Sequence, residues 1–464
     1  MKFGKFSSFL KINKMIFILS LFLTQLIFAY PGFGKKINPV LTQSCNQCHV
    51  AFPKLRLYGR TIREIGYQVP VAEVEDESLI KSIYRSVPIG VRGKIYLAHT
   101  DNGKPRLDLL QLLSSGTVFN NKVSWWYHKH LYDVEGDKDN KVIDSDKFVP
   151  LNEGQPHELW FQYNYSTAIN FRAGMFELPF WLSPIKTKIG ESEYLCHEAT
   201  GNPDMTGTLA SPQFGLAING YLGKRTTEDD WGEEEEENFI EGYNYAFAVT
   251  NGKAEFPKGF DFLSDSEGSS MDLNTFFGRV TKKNSWYAVG IWALTGKSKI
   301  VHEDDHDTGD MDMHGETTAN QRYYRLGTDF DLYIRGDDVN LYGDFVYGND
   351  VNRDFIGWLL GYDNLVLPKL LGLIRWTGVS FLNGDNPSEI HNEHEGEDDH
   401  TEGGGHVHGA MIMDNASSLS AGIFYLIYNN IRLGFEYEYQ LYGDIGKDIH
   451  GKGGQGIIQI QFGF

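Results

Sequence analysis

Alternating apolar and polar positions run through most of the chain after residue 88. Between residues 431 and 441, apolar or aromatic residues occupy every odd position, and polar residues or glycine occupy every even one. A period of two places successive side chains on opposite faces of a β-strand. The pattern recurs over residues 158–165, around Tyr324 and over residues 458–464. We therefore predict a mainly β protein whose strands each have one apolar face.

Strand and connection lengths decide between a soluble β-sandwich and a membrane barrel. The alternating segments are about 9 to 13 residues long, as tilted membrane strands are, whereas soluble strands average about 5–6 residues. Tight connections alternate with long ones: residues 120–121, 282–284, 335–338 and 429–430 against 133–155, 178–211, 296–320 and 383–416. Short periplasmic turns and long extracellular loops produce this rhythm. We predict a transmembrane antiparallel β-barrel of about 16 strands over residues 88–464, with both termini periplasmic.

One connection breaks the rhythm. Residues 223–240 should form a short inner turn, but the stretch is long and acidic. Either a hairpin is missed there or the turn is extended. The terminal Phe464 resembles the C-terminal aromatic residue by which outer-membrane barrels are recognised for assembly.

The N-terminus has the pattern of a signal peptide. Four lysines precede an apolar run over residues 15–28, and Ala29 offers a small residue for cleavage. The run is too short for an ordinary spanning helix, which needs about 20 apolar residues. We predict a signal peptide over residues 1–29; the alternative is an uncleaved anchor.

Composition fits this picture and disfavours nucleic acid as a partner. Aromatic residues make up 14% of the chain, there are 51 glycines, and hydrophobic content is only 41%. These values are typical of a protein with many strands that each have one apolar face. The net charge of −20 opposes binding to phosphates, which require Lys and Arg. It suits solvated acidic loops, cations or basic protein partners.

Cys45, Cys48 and His49 form a C-x-x-C-H haem-attachment motif behind the leader. Two thiols add to the haem vinyl groups, and the adjacent imidazole ligates the iron. The alternatives are a redox pair or half of a zinc site, but no second pair of zinc ligands follows. We predict one covalently attached haem c in a small α-helical domain over residues 30–87. Cys196 is left over as a lone thiol.

The second axial ligand of this haem has to come from outside the haem segment. That segment is too short to cover a porphyrin alone, and it contains no methionine and no histidine besides His49. On the strand predicted at residues 123–131, His128 and His130 share the parity of the lumen face. We take them as candidate haem ligands; the alternative is a polar lumen lining. The haem domain is then expected in or against the lumen, which is wide enough in a sixteen-stranded barrel.

Two predicted extracellular loops mix histidines with carboxylates. The first loop contains His302, His306 and His314, and the second contains His391, His394, His400, His406 and His408. Imidazole and carboxylate ligands suit divalent first-row metals, including Fe²⁺. Because no fixed spacing marks a defined site, solvated low-complexity loops are the plainer interpretation.

The combination resembles the fused monohaem cytochrome–porins of the outer membrane, of which the outer-membrane iron oxidases are the best known. The resemblance is carried by the single motif, by the predicted barrel, and by Ala51, Phe52, Pro53, Lys54, Leu55, Gly59, Arg60, Gly66 and Tyr67. It implies a haem that accepts an electron from an extracellular donor such as Fe²⁺ and passes it to a periplasmic c-type cytochrome. Of the family's functional residues, only Cys45, Cys48 and His49 carry over. Arg56, Ile62 and Arg63 depart from the family pattern.

Three functions follow as hypotheses. The first is an electron conduit across the outer membrane, similar to an iron(II):cytochrome c oxidoreductase and without an acid–base pair. The second is a transport porin with a haem plug or sensor, and the third is a haem protein with an open sixth position. The acidic run at residues 233–237 is usually a solvated loop; on the periplasmic side it would steer a basic electron carrier to the inner mouth.

Overall fold

The computed structural model describes residues 49–51, 54–64, 89–99, 105–119, 122–133, 156–183, 188–200, 208–225, 240–253, 256, 272–302, 317–350, 353–382, 414–428, 430–443 and 454–463. The predicted signal peptide, Cys45 and Cys48 lie outside these residues. Of the predicted helical haem domain, residues 49–51 and 54–64 are described. They form a hairpin of β1 (His49–Ala51) with β2 (Lys54–Leu55), followed by helix α1 (Leu57–Glu64). This part of the predicted domain is therefore a hairpin and one two-turn helix, not a helical bundle.

Sixteen antiparallel strands close into a barrel. They are β3 (Ile89–His99), β4 (Arg106–Val118), β5 (Val123–Asp133), β6 (Glu158–Asn164), β7 (Asn170–Phe176), β8 (Gln213–Arg225), β9 (Ile240–Thr250), β10 (Thr275–Lys283), β11 (Tyr287–His302), β12 (Thr317–Asp337), β13 (Val339–Asp350), β14 (Arg353–Leu367), β15 (Leu370–Phe381), β16 (Ala416–Tyr428), β17 (Ile431–Tyr442) and β18 (Gln455–Gly463). Each strand pairs with its neighbours in sequence, and β18 closes on β3. Closure leaves no unpaired barrel edge, which a membrane requires. The predicted mainly β class and the predicted strand number are confirmed.

The two faces of the barrel follow the alternation in sequence. On β17, Phe435 and Tyr437 are exposed on the outside, whereas Arg432 and Glu436 are buried inside. Large apolar and aromatic side chains are exposed in the same way on strands around the barrel. An outer surface of this kind is suited to lipid, and a polar inner surface is typical of outer-membrane barrels.

Two connections differ from the predicted rhythm. Strands β11 and β12 stay paired as far as His302 and Thr317, so both ends of the predicted 296–320 loop are strand, and residues 303–316 lie outside the described residues. Paired strands that extend beyond the bilayer need hydrogen-bonding partners but no apolar outer face. Their sequence therefore shows little alternation of apolar and polar residues. In the acidic connection, β8 pairs directly with β9 through Arg225 and Ile240. No barrel strand is missing there, and residues 226–239 lie outside the described part of the chain.

The connection between β7 and β8, residues 177–212, is described in three pieces and folds into the barrel. We call it the inserted loop; it includes the short helix α2 (Leu195–Glu198). Trp181 and Leu195 are fully buried and pack in one apolar cluster with Trp292 and Leu359 of the wall. The alternation predicted an extracellular loop here. The loop turns inward instead because its apolar residues are removed from water against the wall.

Among the described residues, no helix is long and apolar enough to cross a bilayer.

Candidate functional site in the barrel lumen

The segment that follows the C-x-x-C-H motif is packed against the lumen wall. Lys54 donates from Nζ to Asp363 Oδ2 at 2.8 Å and to Asn340 Oδ1 at 3.2 Å. The Lys54 and Asp363 side chains are only 2% and 3% exposed. Asn340 is the second residue of β13, directly after a tight turn. The segment therefore lies at the end of the lumen where the short turns are.

Helix α1 uses one face for its contacts with the wall. Leu57, Arg60, Thr61 and Glu64 recur at the spacing that lines up residues on one side of a helix. Arg60 donates to Asp331 in a buried ion pair, and its guanidinium lies 5.6 Å from the Trp181 ring centroid.

The C-terminal end of α1 carries a carboxylate, which is unfavourable beside the negative end of the helix dipole. Two cations of β10 offset this effect. Lys283 Nζ lies 3.4 Å from Glu64 Oε2, and Arg279 Nη1 lies 3.7 Å from Glu64 Oε1. Asn244 of β9 also donates to the Glu64 carboxylate. The helix is thus fixed at both ends by side chains from strands distant in sequence.

His49 is half-buried and opens the hairpin, where it pairs with Leu55. Leu55 adjoins Lys54, so the anchoring of Lys54 also holds the backbone of His49 near the lumen wall. Two thiols and an adjacent imidazole are the donors that attach haem c. The order of Cys45, Cys48 and His49 on a chain tethered inside a barrel fits that group.

The inserted loop is anchored by Arg375 of β15, the strand next to β14, to which Lys54 is paired. This fully buried guanidinium donates to the carbonyl oxygens of Ser192 at 3.0 Å and Ile189 at 2.7 Å, and to Ser192 Oγ at 2.7 Å. Glu436 of β17 accepts from Ser192 Oγ at 2.8 Å and from the backbone N–H of Glu191. These charge-assisted hydrogen bonds satisfy backbone groups that burial would otherwise leave without water.

Glu191 adds an electrostatic contact to the anchor. Its Oε2 lies 2.5 Å from Lys94 Nζ and accepts from Tyr96 Oη at 3.1 Å. Burial by itself would raise the pKa of Glu191, but Lys94, Lys188 and Arg432 lower this pKa to about 2.

We predict that protonation of Glu191 in acid weakens the docking of the inserted loop. Because the folded-state pKa of Glu191 lies below its ordinary value, its contribution is present above about pH 4.5 and is lost as pH falls through about 2. Single-channel conductance should stay constant from pH 7 to 5 and rise toward pH 2. Glu191→Gln should flatten this acid response, and an unchanged response in that variant would contradict the assignment.

Helix α2 carries two buried groups that the sequence did not single out together. His197 Nε2 lies 2.7 Å from Asp344 Oδ2, and both side chains are 0% exposed. Cys196, the lone thiol, packs over Gly357 of β14, where an added Cβ would come 2.6 Å from the Cys196 Cβ. Burial, followed by the nearby Asp344 charge, raises the pKa of the Cys196 thiol.

We predict that Cys196 is inert in the folded protein. A buried, protonated thiol reacts only when its surroundings open, because the thiolate is the nucleophile. N-ethylmaleimide should modify Cys196 at least about 100-fold more slowly in the folded barrel than in the unfolded chain, corresponding to an opening cost of roughly 3 kcal/mol. Intact-mass spectrometry before and after denaturation measures the ratio. Rapid stoichiometric labelling of folded protein would contradict the burial.

Three histidines come together on another part of the wall. The structure brings the candidate haem ligands His128 and His130 of β5 together with His157, which directly precedes β6. Glu158, the first residue of β6, is buried beside them. His157 was missed by the sequence analysis because it ends a long connection, where no periodicity marks the direction of a side chain.

The histidine-rich loops keep their status as predictions. His302 ends strand β11, and nothing is described of its side chain. His306, His314, His391, His394 and His400 lie outside the described residues. Their predicted metal binding therefore stays a prediction.

A small cavity of about 50 Å³ separates α1 from the wall formed by β6 and β7. Arg63, Glu64, Glu158 and Arg172 line it, together with Pro179 and Phe180 of the inserted loop. The cavity has room for a few water molecules. The N-terminal segment and the inserted loop contact each other beside this cavity, since Arg63 Nη2 donates to the carbonyl oxygen of Phe180 at 3.1 Å.

No protein-family model and no curated protein matches the chain. Among solved structures, it is similar to the outer membrane channel DcaP of Acinetobacter baumannii, with 11% identity, 82% of this chain and 96% of that one covered, and a TM-score of 0.45. It is also similar to a Salmonella typhi OmpF complex with daunomycin (12% identity, 82% and 97% covered, TM-score 0.48) and to Pseudomonas putida OprB (9%, 83% and 96%, 0.48). The closed sixteen-strand order, not these similarities, establishes the porin-like barrel of this chain.

Proposed function

We propose that this chain is an outer-membrane barrel that holds its own haem-bearing N-terminal segment in the lumen and carries electrons between an extracellular reductant, such as Fe²⁺, and a periplasmic carrier. The observation that supports this proposal is the docking of residues 54–64. They follow the C-x-x-C-H motif directly and are attached to the wall through the buried pairs of Lys54 with Asp363 and Arg60 with Asp331.

The residues of this chain have a positioning role in the proposed transfer. Haem c, when attached, supplies the one-electron couple. Lys54, Arg60 and Glu64 fix the segment, and the closed barrel separates it from lipid. The inserted loop and its Arg375 anchor narrow the lumen beside it. No proton has to move for electron transfer, so no acid–base pair is required.

A transport porin is the second candidate, with the N-terminal segment as a plug or sensor. The barrel fold, taken alone, supports this candidate more directly than electron transfer, because a sixteen-stranded barrel with a polar inner surface is an ordinary channel architecture. The buried ion pairs in the lumen favour a closed resting state for such a channel.

Proteoliposomes that enclose oxidised cytochrome c separate these candidates. With the full-length protein inserted, a membrane-impermeant Fe²⁺ chelate added outside is expected to reduce first the haem and then the enclosed cytochrome. Cys48→Ser, which removes one thioether bond, is the matched control and should abolish transfer while leaving a heat-modifiable barrel. Absence of transfer from any impermeant reductant would contradict the conduit. Open-channel currents under the same conditions would favour the porin, and carbon monoxide binding to the ferrous protein would indicate an open sixth position.

A further inference from the structure

His128, His130 and His157 converge on one point of the lumen. His128 and His130 are two residues apart on β5 and share its inner face, and His128 pairs in register with Glu158 of β6. One ring nitrogen of each histidine lies within 4.8 Å of the others. The ring centroids are 4.8, 4.8 and 5.1 Å apart. We infer that these three imidazoles form a binding site for one divalent transition-metal ion, separate from the haem.

The donor set has the chemistry of such a site. Each neutral imidazole offers one nitrogen lone pair, and three histidines with an open fourth position are a known tetrahedral arrangement for Zn²⁺. Metal–nitrogen distances of about 2.0–2.1 Å require ring nitrogens roughly 3.3 Å apart. Small side-chain rotations close the remaining gap, because two of the rings are only half-buried.

Neighbouring side chains are placed to orient the rings. Gln111 Nε2 lies 2.8 Å from His130 Nε2, and Glu158 Oε2 lies 3.7 Å from His128 Nδ1. Trp126 Nε1 donates to the same Glu158 oxygen at 2.8 Å, which fixes the carboxylate. An oxygen that accepts the second ring N–H of a ligating histidine sets the ring orientation and raises ligand basicity. Glu158 has such an oxygen, and Gln111 presents one to His130 when its side-chain amide is turned over. The Glu158 charge also offsets part of the charge of a bound cation.

A single ion fits this cluster better than a haem does. Haem takes one axial imidazole on a given face, and the porphyrin plane must extend around it. Here the three rings contact one another. They therefore surround a space the size of one ion and leave no room for a porphyrin plane beside any one ring. The described part of the N-terminal segment makes its ion pairs on other strands. Glu64 pairs with β10, Arg60 pairs with β12, and Lys54 pairs with β14. The inference does not depend on the proposed electron transfer and would hold equally for a transport porin.

Zinc binding to the purified full-length chain tests the site. Equilibrium dialysis with Zn²⁺, read by elemental mass spectrometry, should find one tight ion per chain that is lost in His157→Ala and His157→Gln. We expect at least about 100-fold weaker binding, more than the loss of an orienting neighbour costs. His99→Ala, which replaces a histidine of β3, a strand that carries none of the three, is the matched control and should bind normally. X-ray absorption at the zinc edge should report three imidazole nitrogens.

The haem provides an independent readout. A double Cys45→Ser/Cys48→Ser variant should keep the tight zinc site, and His128→Ala or His157→Ala should leave the haem absorption spectrum unchanged. Retention of the tight ion in both His157 variants would overturn the inference. A shifted haem spectrum in His128→Ala or His130→Ala would also overturn it, because it would identify that histidine as the axial ligand. Failure of electron transfer alone would leave the zinc result as it stands.

Discussion

Replacing Arg375 with leucine is expected to free the inserted loop and to raise the alkylation rate of Cys196 by about 100-fold or more. Leucine removes the donor for the carbonyl oxygens of Ile189 and Ser192 and leaves Glu436 buried without its main cation. Removing one partner from a buried charged contact costs about 3–5 kcal/mol. Each 1.4 kcal/mol changes an opening equilibrium tenfold. The reagent should therefore reach Cys196 in molecules whose inserted loop has opened. Heat-modifiable electrophoretic mobility shows whether the barrel itself is still folded.

Arg335→Leu is the matched control for this experiment. Arg335 lies near a tight turn and is exposed, so its loss should leave the Cys196 labelling rate unchanged. Single-channel currents provide the second readout, since a freed loop widens the lumen. If Cys196 stays protected in folded Arg375→Leu, the apolar packing around Trp181 holds the loop without the guanidinium, and the assigned role of Arg375 is wrong.

The double substitution Lys54→Met/Arg60→Met is expected to release the N-terminal segment from the lumen. Asp331 and Asp363 would then be buried without their cations, at a cost of about 3–5 kcal/mol for each broken pair. Proteinase K should cut within residues 49–64 of the variant and spare this segment in the unmodified protein. Channel conductance should rise in parallel.

Arg56→Met provides the control within the same segment. The Arg56–Asp338 pair is 3.6 Å long, and its side chains are 28% and 39% exposed. Exposed pairs of this kind contribute about 0–1 kcal/mol, so the segment should stay protected. Equal protease sensitivity in Arg56→Met and the double variant would show that the buried pairs do not hold the segment.

The sequence was sufficient to predict the barrel but not the filling of its lumen. Strands such as β17 have a period of two that depends only on neighbouring residues, so their number and faces could be read directly. The inserted loop is held by Arg375, which lies 183 residues away from Ser192. No local pattern encodes such a pairing. Lys54 is likewise paired 309 residues away, with Asp363.

The candidate site was predicted in part for the same reason. His128 and His130 share a face because strand geometry requires it, and the structure brings them together. His157 joins them through the pairing of β5 with β6, after a long connection whose path has no periodic signal. The inward direction of the inserted loop depends on an apolar wall that exists only once the barrel has closed.

The seam of the barrel joins the two ends of the chain, since β18 pairs with β3 and β3 follows the N-terminal segment. The ring is complete only after the last strand has been synthesised and placed. The finished ring offers no side entrance, so residues 54–64 either are in place before the seam forms or enter through an open end of the barrel. Any covalent modification of the preceding motif that needs a bulky enzyme has to occur before these residues are docked in the lumen. The seam thus restricts the route by which the segment reaches its binding surface.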